Sequence, residues 1–217
     1  MSVNWWQSEV FGVKKPFLEA RQEIFNRVRS FLHARGYLEV DTPALQIAPC
    51  MEPHIQAFKT LYRGADGVTQ QDFYLHTSPE FAMKKLLVAG LPKIFQMARV
   101  YRNAEGSRWH SPEFTMLEWY QAGMGYRQMM EETIDLVRTA VPAEKLQANG
   151  RIADPHQPWE IITVVDALQK YADIDISNDL NNLEHIRAQA KRIGVYVSDS
   201  DDWDNALLKI IMGKVEP

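Results

Sequence analysis

Residues 99–120 read RVYRNAEGSRWHSPEFTMLEWY and contain two strand-like runs around a charged turn. The alternation of apolar and polar side chains predicts strands over residues 93–102 and 114–121. A loop between two such strands can fold its side chains over a ligand bound on the sheet. Its arginines can hold phosphate oxygens through paired hydrogen bonds. We therefore interpret the segment as a hairpin that binds a nucleotide, although most charged hairpin loops are simply solvated.

The second predicted strand carries further candidate residues. Glu118 and Tyr120 are two positions apart and share one face of the sheet, whereas Trp119 faces the other side. Acidic side chains that point the same way would suggest a site for a cation. Alternate residues share a face on any strand, however, and Phe114 is more often a core residue than an aromatic platform. Spacing alone therefore does not distinguish a ligand-binding role for these residues from a purely structural one.

Outside this hairpin, apolar spacing and stop signals predict the remaining elements. A long amphipathic helix is predicted over residues 16–35, with Pro16 in its first turn and Gly36 as its C-terminal cap, and a short edge strand follows over 37–43. The other predictions are a hairpin over 58–62 and 72–75 and helices over 81–88, 126–140, 164–171, 183–193 and 203–212. Ser78 and Glu80, just before the helix at 81, are either start signals for that helix or ligand contacts.

Composition bounds the class of protein. The chain has 217 residues, 46% of them hydrophobic, and a net charge of −4, as in an ordinary globular protein. Basic residues form no run longer than a pair such as Lys14-Lys15, so a nucleic-acid-binding face is not expected. Cys50 is the only cysteine, which excludes an internal disulfide and a thiolate-rich metal site, and the histidines lack metal-ligand spacing. Without a signal peptide or a long apolar run, a cytoplasmic protein with no membrane contact is expected.

Two segments resemble the class II aminoacyl-tRNA synthetases. Residues 35–45 are similar to motif 1 of that family, and residues 100–120 are similar to motif 2 as it stands in the lysyl enzymes. Together with Thr77-Ser78-Pro79-Glu80, they resemble in particular the short lysyl-tRNA synthetase paralogues that ligate beta-lysine to elongation factor P. The resemblance implies an α+β fold, with an antiparallel sheet flanked by helices. It also implies ATP and Mg²⁺ as cofactors, lysine or beta-lysine as substrate, elongation factor P as acceptor, and a homodimer formed through the region between Pro16 and Pro43.

The same resemblance implies a role for each matching residue. Arg102 would be catalytic, because it would contact the α-phosphate and the substrate carboxylate. The expected ATP-binding residues are Arg102, Asn103, Glu105, Arg108, His110, Ser111 and Phe114, and the expected lysine-binding residues are Ser78, Pro79, Glu80, Glu118 and Tyr120. No metal-ligating residue is assigned.

Some positions depart from the family pattern. The acid expected two residues after Arg102 is replaced by Ala104, with Glu105 one place later, and Ser111 replaces an asparagine. We expect residues 1–150 to form the catalytic core and 151–217 a helical insertion, with motif 3 and the C-terminal continuation of the core missing. Motif 1 begins at residue 35, which leaves no room for an anticodon-binding barrel, so tRNA is an unlikely partner. A lysyl-tRNA synthetase fragment and a non-catalytic dimerising paralogue remain alternatives.

Overall fold

The chain folds into two compact units, Met1–Gln157 and Pro158–Pro217. The computed structural model describes residues 4, 6–49, 51–52, 54–107, 110–141, 146–148, 150–177 and 181–216. The division into a catalytic core up to residue 150 and a helical insertion after it stays a prediction. In the described part of the chain, no helix has the length and apolar character needed to span a bilayer.

The first unit mixes helices and strands. In chain order its elements are α1 (Ser8–Ala34), β1 (Leu38–Glu39), β2 (Leu45–Gln46), β3 (Lys59–Arg63), β4 (Gln70–Leu75), α2 (Glu80–Val88), β5 (Lys93–Tyr101), β6 (Glu113–Gln121), α3 (Tyr126–Ala140), β7 (Leu146–Ala148) and β8 (Arg151–Ala153). The α+β class with antiparallel sheets and flanking helices is confirmed. The short strands β2, β7 and β8 were not predicted, because two or three residues are too few to show an alternating pattern.

The sheet order is β1-β5-β6, with β5 and β6 antiparallel over nine residues. As expected, β1 lies at an edge, and it runs parallel to β5. A second sheet has the order β2-β4-β3, and its β3–β4 pair is the predicted hairpin. The strands β7 and β8 pair with each other.

One face of β5 and β6 packs against α1 and α3. The core between these elements contains Phe31 and Leu32 of α1, Phe95 of β5 and Leu136 of α3. Their apolar spacing along each helix made this face predictable. The opposite face of the sheet is thereby left for α2 and the candidate site.

The predicted start of the first helix is wrong. The helix α1 begins at Ser8, and Pro16 lies inside it. Proline lacks the N–H that would bond to the carbonyl of Gly12, but this part of α1 is exposed, so water can satisfy that carbonyl. The predicted end is confirmed, because Gly36 has φ +81° and its N–H donates to the carbonyl of His33 at 2.9 Å.

The second unit consists of helices. It contains α4 (Val164–Ala172), α5 (Leu183–Arg192) and α6 (Trp203–Ile210), followed by a π-helical turn at Ile211–Val215. All three α-helices were predicted within about two residues of their ends. The side chains of Thr163, Asn182 and Asp202 cap their N-termini. Leu168, Ile186 and Ile210 are fully buried in the core of this unit.

Candidate active site

The candidate site lies on the face of the β5–β6 pair opposite α1 and α3. The register places Gln96 opposite Glu118 and Val100 opposite Phe114, so these side chains share that face. Trp119 points to the α3 side, as predicted, where its indole N–H donates to Glu132. The alternation of the strand therefore puts Glu118 and Tyr120 together on the site face.

The carboxylate of Glu118 is the centre of a hydrogen-bond network. Ser78 Oγ donates to Glu118 Oε1 at 2.5 Å, and the Tyr120 hydroxyl donates to Oε2 at 2.7 Å. Ser78 Oγ also accepts the backbone N–H of Glu80 at 3.0 Å. Two of the predicted lysine-binding side chains, Ser78 and Tyr120, therefore donate hydrogen bonds to a third, Glu118. The N-terminus of α2 is hydrogen-bonded to the same serine.

The hydroxyl of Tyr120 is held in its neutral form. Burial raises its pKa most, and the hydrogen bond to Glu118 and the negative charges of Glu118 and Glu80 raise it further. The tyrosine therefore acts as a hydrogen-bond donor at neutral pH. Two acidic side chains with a neutral phenol between them form an electronegative site that suits a cation.

Glu80 is the first residue of α2, and buried Pro79 precedes it as N-cap. Its carboxylate pairs with the Nζ of Lys84, one turn later, at 2.5 Å. Both side chains are about half exposed, so this ion pair contributes little to stability. An ammonium group entering the site can replace the Lys84 partner at small cost.

Arg102 follows β5 on the same face and lies between the candidate lysine-binding residues and the candidate ATP-binding residue Phe114. Its Nε donates to the carbonyl oxygen of Thr77, next to Ser78, at 3.4 Å. Its guanidinium carbon lies 5.3 Å from the centre of the Phe114 ring, a cation–π distance. With 24% of its side chain exposed, Arg102 is accessible to an anionic ligand.

The loop after Arg102 places an acid beside the guanidinium despite Ala104. Ala104 has φ +60°, in the left-handed region, so the backbone turns sharply there. Glu105 Oε1 then lies 3.8 Å from Arg102 Nη1. The turn at Ala104 thus brings the acid at position 105 within reach of the Arg102 guanidinium.

The remaining predicted ATP-binding residues lie in the same loop. The N–H of Asn103 donates to the carbonyl of Gln56 at 2.7 Å, so this residue ties the loop to the segment before β3. His110 is exposed, and its Nδ1 lies 3.0 Å from Ser107 Oγ. Ser111 is also exposed. Arg108 lies outside the described residues.

A family model supports the resemblance seen in the motifs. Residues 11–207 match the model described as "tRNA synthetases class II (D, K and N)". The chain belongs to this class II synthetase family. The candidate site just described lies within the region that matches this family.

Curated relatives within this family have two kinds of name. The elongation factor P–(R)-beta-lysine ligase of Pseudoalteromonas translucida is 40% identical over 67% of this chain and 45% of its own length. The ligase of the same name from Salmonella arizonae is 34% identical over 90% of this chain and 56% of its own. A lysine–tRNA ligase of Pelotomaculum thermopropionicum is 33% identical over 94% of this chain and 40% of its own length. The chain spans about half of the length of the curated relatives it matches.

Two residues that hold the strands of the candidate site were not identified from the sequence. Gln96 is buried opposite Glu118, and its Oε1 accepts from Thr42 Oγ1 at 2.9 Å and from the N–H of Thr42 at 3.3 Å. A glutamine inside the apolar run at 94–98 of β5 was the available signal. Glu132 accepts hydrogen bonds on the α3 side of β6, and its spacing of four residues from the buried Leu136 was the available signal.

The described residues of the chain contain no group of three or more His, Cys, Asp or Glu side chains that could hold a metal ion. Magnesium often needs only one or two protein carboxylates, because substrate phosphates and water complete its coordination. Glu105 and Glu80 are the acidic residues of the site that are accessible enough for such a role.

Proposed function

We propose that this chain activates lysine or beta-lysine with ATP and ligates it to a lysine side chain of elongation factor P. The observation that carries the proposal is the Ser78–Glu118–Tyr120 network beside Glu80, because it offers acidic side chains to the ammonium groups of a lysine. Relatives named for this ligation, at 34% and 40% identity, support the choice of acceptor.

The arrangement suits both ends of the substrate. Glu118 and Glu80 would balance the positive charge of the ammonium groups. Tyr120 would hold the Glu118 carboxylate in position through its neutral hydroxyl. Arg102, on the same face, would hold the substrate carboxylate beside the α-phosphate. Phe114 would stack on the adenine ring, with the Arg102 guanidinium above it.

The chemistry needs alignment and charge neutralisation more than proton transfer. The substrate carboxylate is ionised at pH 7, so its oxygen attacks the α-phosphorus without a general base, and pyrophosphate leaves. Arg102 would neutralise the charge that develops on the phosphate oxygens. Bound Mg²⁺ would supply further neutralisation of the outer phosphates. The neutral amine of the acceptor lysine then attacks the acyl carbon, and AMP leaves.

The second candidate function is transfer of lysine to tRNA. The lysine–tRNA ligase that matches 94% of this chain favours it. The lack of clustered basic residues speaks against an RNA acceptor, because phosphate neutralisation requires them. A paralogue that only dimerises would not need the Glu118 network, which makes this alternative the weakest.

A homodimer through α1 forms part of the proposal. Val13, Phe17 and Leu18 are 72%, 75% and 52% exposed, an apolar surface that water disfavours. All three lie in or beside the region from Pro16 to Pro43. We place the reaction in the cytoplasm, where ATP and the acceptor protein are found.

The test is lysine-dependent exchange of pyrophosphate into ATP by the 217-residue chain, with alpha-lysine and beta-lysine compared. Arg102→Ala should lower exchange on the order of 100-fold. Arg99→Ala is the matched control, because Arg99 lies on the opposite face of the same strand and pairs with Glu113 at 3.8 Å. Preferential use of beta-lysine and transfer to elongation factor P would support the ligase, and transfer to tRNA would support the synthetase. A folded chain that neither exchanges pyrophosphate nor binds lysine contradicts both.

A further inference from the structure

We propose that Glu132 is a positioning residue for the lysine pocket, because it holds β6 from the face opposite Glu118 and Tyr120. The inference rests on the proposed function, since it concerns the same pocket. Glu132 belongs to α3 and contacts Trp119, the residue between Glu118 and Tyr120.

Glu132 is a largely buried carboxylate with several donors. Only 9% of its side chain is exposed. Its Oε1 accepts from Trp119 Nε1 at 3.1 Å and also from the hydroxyl of Tyr37, and its Oε2 lies 4.0 Å from Arg35 Nε. The same oxygen therefore connects β6 to the segment that links α1 with β1.

The contact between Glu132 and Trp119 can affect the pocket because Trp119 lies between Glu118 and Tyr120 in β6. Successive side chains of a strand point to opposite faces, so a fixed Trp119 indole fixes the peptide groups on both sides of it. The Cα atoms of Glu118 and Tyr120 lie at the far ends of those two peptide groups. A shift of the indole would therefore move the carboxylate and the hydroxyl that receive the lysine ammonium.

This part of β6 is held by packing and by a hydrogen bond, since Leu117 and Trp119 pack against the core between the sheet and its helices. An open groove of about 400 Å³ runs along residues 117–120 and is also lined by Met129 and Thr133. Side chains beside such a groove have fewer neighbours on that side, so the directional hydrogen bond to Glu132 adds to the packing that orients the indole.

A role in stability alone does not account for a carboxylate at this position. Burying a charge is costly, and an apolar residue of similar volume is often equally stable or more stable. A hydrogen-bonded carboxylate instead specifies a geometry, here the orientation of Trp119 relative to α3. The expected consequence of its loss is weaker lysine binding rather than a different reaction.

Three variants separate these roles. Glu132→Leu removes the acceptor, whereas Glu132→Gln keeps an Oε1 that can accept from both Trp119 and Tyr37. Asp135→Asn is the control, because Asp135 lies on the same helix and pairs with Arg35 at 3.2 Å but is 55% exposed.

Calorimetric titration with lysine and, separately, with ATP is the first measurement. Glu132→Leu should raise the Kd for lysine about tenfold, the equivalent of one lost hydrogen bond to a charged group. The Kd for ATP should not change, and Glu132→Gln and Asp135→Asn should bind lysine as the wild type does. A lysine Kd for Glu132→Leu equal to the wild-type value, at a lowered melting temperature, would show a structural role only and overturn the inference.

Hydrogen exchange of the backbone amides of residues 117–121 is the second measurement, and it needs no ligand. Faster exchange in Glu132→Leu, with rescue by Glu132→Gln, supports positioning even if the wild type does not bind lysine, an outcome that would count against the proposed function alone. Unchanged exchange at these amides contradicts the inference whatever the lysine titration gives.

Discussion

Replacing Ser78 with alanine tests the network that defines the pocket. The substitution removes the donor to Glu118 Oε1 and the acceptor for the N–H of Glu80. A hydrogen bond to a charged group contributes about 1.5–3 kcal/mol and a neutral one about 1 kcal/mol. Ser78 is half-buried, so water can replace part of both, and we expect a net loss of about 2 kcal/mol.

Differential scanning calorimetry measures this loss. For a chain of this length, about 2 kcal/mol corresponds to a melting temperature lowered by roughly 4–8 °C. Ser111→Ala is the matched control, because Ser111 is exposed in the loop and its removal should change stability by less than about 0.5 kcal/mol. If Ser78→Ala melts at the same temperature as Ser111→Ala, the Ser78–Glu118 bond does not form in solution and the pocket geometry argued here is wrong.

Three further perturbations have defined outcomes. Ala104→Gly should raise the free energy of unfolding by about 1 kcal/mol, because φ +60° strains alanine but not glycine; urea titration would show it, and no gain would argue against this turn. The pKa values of Tyr37 and Tyr120 are raised by burial and by their carboxylate partners, so the stability they contribute is present below about pH 10 and is lost as the pH rises further. Unfolding of the Tyr37→Phe, Tyr120→Phe double variant should depend less on pH above about 10, and an unchanged slope would contradict this account. Lys84→Ala removes the competing partner of Glu80 and should lower the lysine Kd by up to about fivefold by calorimetry, whereas an unchanged Kd would place Glu80 outside the pocket.

Local signals predicted most elements of the fold. The helix at Tyr126–Ala140 was predicted at both ends, and the helices of the second unit within about two residues, because apolar spacing and start and stop residues are local properties. Pro16 was the exception. A proline favours a helix start, but an exposed helix can continue past it, and the sequence does not show that exposure.

The candidate site was only partly predictable. A two-residue period was sufficient to place Glu118 and Tyr120 on one face and Trp119 on the other. The hydrogen bond from Ser78 required α2 to begin beside β6, and that placement depends on contacts between residues forty positions apart. The predicted roles in ATP and lysine binding stay predictions.

The sequence by itself determined the helices, the main hairpins and the face that carries each strand residue, because these follow from spacing within a few residues. Only the tertiary structure decided which charged groups meet. Glu131 and Glu132 are adjacent and chemically identical, yet Glu131 is exposed, whereas only 9% of the Glu132 side chain is exposed and it accepts hydrogen bonds from Tyr37 and Trp119. Helical spacing turns Glu132 rather than Glu131 toward the sheet, but the donors that Glu132 meets there depend on how α1, α3 and the sheet pack together.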